Sequence, residues 1–211
     1  MTETSVAALD PRWQKQVESA RTAFERGNYE YCIELCREVL LAVPGCLPVR
    51  KLQRTAQIKQ SGPAKGGLAS QLGKLSAAPF LLGGMASLGR DPAKAVANAQ
   101  KMLDGDPRSE SGLRLLGQAA MALGWHETAV FAHEALRELL PDEVKNLVAL
   151  GRAQLAAGRA GPAMEAAERA LRVDPVSGPA SALMKDASVA QSMKSGRWED
   201  GGDFRSKIKQ P

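Results

Sequence analysis

Residues 110–143 read ESGLRLLGQAAMALGWHETAVFAHEALRELLPDE, and residues 144–177 read VKNLVALGRAQLAAGRAGPAMEAAERALRVDPVS. Both stretches are 34 residues long, and leucine, glycine, alanine and proline recur at matching positions. The same 34-residue step separates Pro107, Pro141 and Pro175; Leu82, Leu116 and Leu150; Gly83, Gly117 and Gly151; and Ala95, Ala129 and Ala163. A period that several residue types keep together indicates a repeat architecture.

Each repeat has the pattern of two amphipathic helices joined by a tight turn. In the last repeat, leucines recur at helical spacing before Gly158, and alanines continue the apolar stripe after it. Gly158 is expected to end the first helix, because glycine adopts the left-handed C-cap conformation without steric cost. Pro175 ends the second helix, because the residue before a proline is pushed out of the α region. Gly151 and Ala163 are small, which predicts that the two helix backbones approach closely where they cross.

The repeat resembles the tetratricopeptide repeat (TPR) family, whose 34-residue unit has the pattern W-x₂-L-G-x₂-Y, A-x₃-F and P. The corresponding residues are Leu113, Leu116, Gly117, Ala120, Ala129, His133 and Pro141 in one repeat, and Leu147, Leu150, Gly151, Gln154, Ala163, Ala167 and Pro175 in the next. Where the family usually has aromatic residues, this chain has Leu, Ala, Gln or His. The resemblance implies an all-α fold, a right-handed α-solenoid of helix-turn-helix pairs with a C-terminal capping helix.

The expected organisation is an N-terminal arm over residues 1–12, a repeat array over 13–177, a capping helix over 178–195 and a mobile tail over 196–211. The array contains units at about 13–46, 47–75, 76–109, 110–143 and 144–177. The second unit is degenerate: a helix over about Leu47 to Gln60 is followed by a glycine-rich second helix near Leu68 to Leu75. In the tail, Trp198 and Phe204 either fold back on the cap or belong to a partner-docking segment.

Composition limits the class of protein. The net charge of +5 is well short of the basic clusters that predict nucleic-acid binding. The first residues have no basic and apolar leader pattern, which favours a cytoplasmic protein. The least polar stretch, residues 75–89, is too short to span a bilayer.

Candidate catalytic residues are scarce, so we expect neither an enzyme nor a cofactor or metal site. Cys32, Cys36 and Cys46 have the spacing of neither a zinc cage nor a disulfide framework, and we expect small buried hydrophobic residues. His126 and His133 are seven residues apart on one predicted helix, whereas a metal pair requires i, i+4 spacing. His133 also takes a helix-packing position of the repeat.

The predicted function is that of an adaptor for a protein or peptide partner. The resemblance implies that the first helices of successive pairs line a concave groove, and the 34-residue step places there Arg21, Arg114, Gln118, Lys145 and Arg152. These residues would complement an acidic or extended segment. Ordinary solvated helix faces are the competing interpretation. The carboxylate clamp of chaperone-docking family members fits poorly, because Ala149 stands where that clamp requires Asn. Self-association is left open.

The alternative function is that of a membrane-peripheral assembly factor. It would contact lipid or a membrane protein through the apolar, glycine-rich segment 68–88, which is flanked by Lys65 and Arg90. Pro79 and the glycines disfavour a stable interfacial helix. Leu82 and Gly83 already take repeat positions, which also counts against this alternative.

Overall fold

The computed structural model of the protein describes the backbone of residues 2–62 and 68–200, and the side chains of residues 2–62 and 77–194. Within these ranges a 3₁₀ turn, Val6–Ala8, precedes ten α-helices, and there is no strand. The helices are α1 (Pro11–Glu25), α2 (Tyr29–Ala42), α3 (Leu47–Ser61), α4 (Leu68–Ser87), α5 (Pro92–Gly105), α6 (Glu110–Ala122), α7 (His126–Leu139), α8 (Val144–Ala156), α9 (Ala160–Val173) and α10 (Gly178–Asp200). The predicted all-α class is confirmed.

The helix boundaries repeat with the period found in the sequence. Helices α5, α7 and α9 start at Pro92, His126 and Ala160, so each start is 34 residues after the last, and their ends at Gly105, Leu139 and Val173 keep the same step. Helices α6, α8 and α10 also start 34 residues apart. The repeat therefore determines where each helix begins and ends.

Three hairpin turns share one geometry. Gly27, Gly124 and Gly158 have φ angles of 75°, 71° and 75°, in the left-handed region that favours glycine. In each turn, the next residue donates its backbone N–H to the carbonyl five positions back, at 2.8–2.9 Å. This is the bond of a Schellman C-cap, as predicted for Gly158.

The chain divides into two compact units, Met1–Leu139 and Leu140–Pro211. In the second unit, α8 packs against α9 and α10 around a core that includes Leu147 and Ala170. A Cβ atom added at Gly151 would lie 3.2 Å from the Ala163 carbonyl oxygen and 3.3 Å from the Ala166 Cβ. The predicted close approach of the two helices is confirmed.

The first unit contains two groups of helices. Helices α1, α2 and α3, here called the α1–α3 block, pack around their own apolar core. The α4–α7 block pairs α4 with α5 and α6 with α7, and α5 packs on α6. Cys32, Cys36 and Cys46 lie in the core of the α1–α3 block with no exposed surface, which confirms their prediction as buried residues.

The degenerate second unit differs from its prediction. Helix α3 forms where expected, but residues 68–75 are not a separate helix: they are the start of α4, which continues through Pro79 to Ser87. A proline inside a helix removes one backbone hydrogen bond. Pro79 lies on the exposed side of α4, where water can hydrate the freed carbonyl. The helix therefore continues across Pro79, a residue expected to disfavour a stable helix in this segment.

A polar cluster joins the two blocks. Four buried side chains of α3 face the α4–α7 block: Arg50, Gln53, Arg54 and Gln57. Asp104 of α5 accepts hydrogen bonds from Gln53 Nε2 at 3.1 Å and from Gln100 Nε2 at 2.9 Å. Arg50 donates to Gln100 Oε1, and to the Pro44 carbonyl at 2.7 Å. Burial lowers the pKa of Arg50 to about 10, although Asp104 opposes this effect.

The N-terminal arm crosses the first unit. Glu3 Oε1 accepts hydrogen bonds from the backbone N and the Oγ1 of Thr128, both at 2.6 Å, and Glu3 Oε2 accepts one from Glu127 N at 3.2 Å. Thr4 N donates to the Gly45 carbonyl at 3.0 Å. A carboxylate at a helix N-terminus satisfies N–H groups that have no partner within the helix. Glu3 therefore caps the N-terminus of α7, although it lies 124 residues before Glu127 in the sequence.

The last helix extends past its predicted end. The capping helix was expected over residues 178–195, and α10 continues to Asp200. Leu183 and Ala187 are buried, whereas Val189 and Met193 are exposed. Residues 201–211, with Phe204, and the side chain of Trp198 lie outside the described residues, so the mobile tail and the two roles considered for these aromatics remain predictions.

Candidate partner-binding surfaces

The predicted groove residues of the first unit lie in both of its blocks. Arg21 is on α1 and pairs with Glu18 on the same helix at 3.4 Å. Both side chains are well exposed, so this pair contributes little to stability. Arg114 and Gln118 are one turn apart on α6, where Arg114 is partly buried and Gln118 is exposed. The structure thus brings Arg114 and Gln118 to one side of a helix and places Arg21 in the other block.

The other two predicted residues belong to the second unit. Lys145 and Arg152 are both exposed on α8. They are seven residues apart, or two helical turns, so they project from the same side. Neither makes an ion pair with a residue that the structure describes.

An open cleft of about 510 Å³ lies between α1 and the start of α2. Its lining includes Lys15, Arg26, Glu18 and Tyr31, so charges of both signs face it. Arg21 is not among its lining residues. The polar cluster on α3 is not a comparable cleft. The space among its side chains is only about 10 Å³, which is room for about one water molecule.

Helix α4 has an apolar side that faces solvent. Exposed residues recur there over three turns, and we call them the α4 face: Ala78, Pro79, Leu82, Met85 and Ala86. Leu82 is 69% exposed and Met85 59%. The described side chains of this helix, residues 77–87, include no charged residue. Sequence reasoning named this region as the alternative contact but discounted it, because it expected Leu82 to be packed within the repeat.

Three cations follow α4 in the chain, in the turn after it and on α5. Arg90, Lys94 and Lys101 are exposed, and Lys101 Nζ lies 5.3 Å from the ring centroid of Phe80 on α4. None of the three forms an ion pair among the residues described. Asp91 is the nearby acid in sequence, and its side chain caps α5 by accepting from Lys94 N at 3.1 Å.

The thiols and imidazoles have packing roles. Burial raises the pKa of the Cys32, Cys36 and Cys46 thiols, most strongly for Cys36. A thiol held neutral and away from solvent is a poor nucleophile. His126 is partly exposed at the start of α7, and His133 is buried against Gly117. Both placements agree with the sequence interpretation.

No described helix is long and apolar enough to cross a bilayer. The described residues also contain no group of three or more His, Cys, Asp or Glu side chains placed to hold a metal ion.

The protein is similar to known proteins in its structure, but no protein-family model or curated protein matches its sequence. A TPR protein from Parabacteroides merdae is similar with a TM-score of 0.46 and 14% identity, over 85% of this chain and 60% of that one. This chain thus spans less than two thirds of that protein.

Two further solved structures are similar to a comparable degree. A TPR protein from Thermus thermophilus gives a TM-score of 0.42 and 14% identity, over 85% of this chain and 82% of that one. The TPR2AB domain of yeast Sti1, solved in a complex with a pHSP90 component, gives 0.49 and 18%, over 83% of this chain and 69% of that one.

The helices themselves define the class: an all-α protein of helical hairpins with a 34-residue period. The period, the glycine turns and the small residues at the helix crossings agree with the resemblance to tetratricopeptide repeats that the sequence shows.

Proposed function

We propose that the protein is a non-catalytic interaction adaptor that binds an acidic, extended protein segment along the first helices of its hairpins. The observation that supports this most directly is the exposed pair Lys145 and Arg152 on one side of α8. Both cations are available to a partner, since neither is neutralised by a described acid. Carboxylates of a bound segment would complement them, with bidentate hydrogen bonds to the arginine.

The α6 hairpin offers a different combination of groups. Gln118 occupies the repeat position of Arg152 and supplies a neutral donor and acceptor. Arg114 occupies the position of Val148, which is buried in α8. Each hairpin would therefore select different side chains in the acidic segment that it binds. Arg21, on α1, would contribute a further cation in its own block.

The chemistry of the described side chains also favours binding over catalysis. The three thiols are buried with raised pKa values, and His133 is packed against a helix backbone. Attraction between charges would speed association and would weaken as salt increases.

A fluorescence anisotropy titration of the full chain with an unstructured peptide rich in Glu and Asp tests this proposal. The variant with Lys145→Glu and Arg152→Glu should bind about tenfold more weakly, because two attractions become repulsions. The variant with Arg172→Glu and Lys185→Glu, an equal charge reversal at exposed positions on α9 and α10, is the matched control and should leave affinity nearly unchanged. Equal weakening by both charge reversals would show binding to net charge alone and would overturn the assignment.

A further inference from the structure

The α4 face occupies repeat positions that are buried in the other hairpins. One period later, in α6, the same five positions are held by Gly112, Leu113, Leu116, Ala119 and Ala120, and all five are buried. Two periods later, in α8, they are held by Asn146, Leu147, Leu150, Ala153 and Gln154, and all five are again buried. Only in α4, among these three helices, is the face exposed. The residues of the α4 face are as apolar as those of a buried packing surface, but no described helix covers them.

Helix α5 shows what covers this face in α6. A Cβ atom added at Gly112 would lie 3.2 Å from Leu103 Cδ2 and 3.2 Å from the Met102 Cβ. The second helix of one hairpin therefore lies directly on this face of the next hairpin's first helix. By the same arrangement, the α4 face would be covered by the second helix of the hairpin that precedes α4.

The described chain does not provide that helix. Helix α3 packs on α2 and turns its polar side to α5 and α7. Residues 68–75, where the sequence interpretation placed the missing second helix, form the first turns of α4 itself. The six residues between α3 and α4 are too few to replace a helix of 14 residues such as α5.

The charges beside the face indicate which helix would fit. Arg90, in the turn after α4, and Lys94 and Lys101, on α5, have no ion-pair partners in the described chain. The equivalents of the two lysines in α7, Thr128 and Ala135, are buried, so the lysines face the side on which a preceding second helix would lie and complement an acidic flank there.

Ala78 and Ala86 are small enough to let a helix backbone approach closely, while Leu82 and Met85 supply apolar area. A lipid-binding helix usually combines large apolar residues with several basic residues of its own, and the sequence of α4 contains one charged residue, Lys74.

We propose that the α4 face binds an amphipathic helix of a partner protein, which takes the place of the missing second helix and carries Asp or Glu on the flank that meets Arg90, Lys94 and Lys101. The inner side of this helix would have small and aliphatic residues, as α5 does where it covers α6. Such an interaction is helix-in-groove recognition, with apolar anchors spaced by three and four residues. It concerns a surface separate from the basic residues of α6 and α8, and it stands independently of the acidic-segment proposal.

The test uses the full-length protein and a capped, fluorescent peptide that contains residues 92–105, the sequence that covers this face in α6. In an acidic version, two residues on the flank that faces α7 in the folded protein are replaced, Ala93→Glu and Gln100→Glu, so that they lie on the same side as Asp104. The acidic peptide should bind at least tenfold more tightly than the parent peptide. Its affinity should fall about tenfold in the protein variant Leu82→Gln, whose exposed substitution leaves the helices folded. Leu41→Gln, at another exposed leucine on α2, is the matched control and should leave affinity unchanged.

Three results would overturn the proposal. The first is an acidic peptide that binds Leu82→Gln as well as it binds the unmodified protein, or that does not bind at all. The second is cosedimentation of the protein with phosphatidylcholine and phosphatidylserine vesicles that Leu82→Gln abolishes, which would assign the face to lipid. The third is a dimer in light scattering that Leu82→Gln converts to a monomer, which would assign it to a second copy of the chain.

Discussion

Helices α4 and α6 present the same repeat positions to different surroundings. Leu116 of α6 is fully buried, whereas Leu82 of α4, one period earlier, is 69% exposed. The repeat pattern defines the position of a residue within its hairpin, and burial depends in addition on the neighbouring hairpin. The repeat sequence therefore specifies the position of a side chain within its hairpin, and the adjacent hairpin decides whether that side chain is buried.

Truncation of the two leucines is expected to give the largest difference between the helices. Leu116→Ala should lower the free energy of unfolding by about 2–5 kcal/mol, because it leaves a cavity in a packed core. Leu82→Ala should change it by less than about 0.5 kcal/mol, as for an exposed substitution. Urea denaturation followed by far-ultraviolet circular dichroism measures both. Similar losses in the two variants would contradict the exposure of the α4 face.

A pair of glycines sharpens the same comparison. A Cβ atom at Gly117 would lie 2.5–2.9 Å from three atoms of the His133 ring, so Gly117→Ala should cost about 1–3 kcal/mol through overpacking. At the equivalent Gly83 of α4, the Cβ atom would meet only Asn98 Nδ2, at 3.5 Å. Gly83→Ala should therefore raise the free energy of unfolding by about 0.5–1 kcal/mol, because alanine favours a helix interior. Thermal unfolding of the two variants should move in opposite directions.

The sequence predicts the regular part of the fold well. The helix boundaries after Pro92 follow from glycines, alanines and prolines at fixed spacing, since these residues act within one hairpin. The continuation of α4 through Pro79 was missed, because local rules place a helix end at an interior proline. The separate grouping of α1, α2 and α3 was also missed, since it depends on contacts between distant residues.

The candidate sites were predicted less completely, for the same physical reason. Exposure on α6 and α8 can be inferred from the repeat, and Gln118, Lys145 and Arg152 are indeed exposed. The exposure of Leu82 cannot, because it results from a covering helix that the described part of the chain does not supply. Buried Arg50 and Arg54 carry no sequence signal either, since charged residues on a helix normally predict a solvated face.

The starts of α5 and α7 compare a local cap with a distant one. Asp91 caps α5 from the adjacent residue, whereas Glu3 caps α7 from 124 residues away. Asp91→Ala and Glu3→Ala should each lower the free energy of unfolding by about 1 kcal/mol. Only Glu3→Ala should speed hydrogen exchange at the amides of Glu127 and Thr128. Unchanged exchange at those amides would show that Glu3 does not cap α7 in solution.

The smallest expected effect concerns the three thiols, which belong to the α1–α3 block alone. Burial raises their pKa values in the folded state above the ordinary 9.0, so they stay neutral while the unfolded chain ionises. The folded state therefore has this contribution in full below about pH 8 and loses it progressively as the pH approaches and passes 9. Between about pH 8 and pH 9, each thiol should reduce the free energy of unfolding by about 0.4 kcal/mol. The decrease should be smaller in Cys36→Ala, and an identical pH dependence would contradict this assignment.

The contact from Glu3 to the start of α7 has a consequence for how the protein loses its structure. In an ordinary repeat array each hairpin touches only its neighbours, so unfolding can begin at one end and proceed stepwise. Here the Glu3 carboxylate is hydrogen-bonded to the start of α7, the last helix of the first unit. Local unfolding of the N-terminal arm therefore removes the cap of α7, and local unfolding of α7 removes the anchor of the arm. That unit should consequently melt in an all-or-none manner, as a small globular domain does.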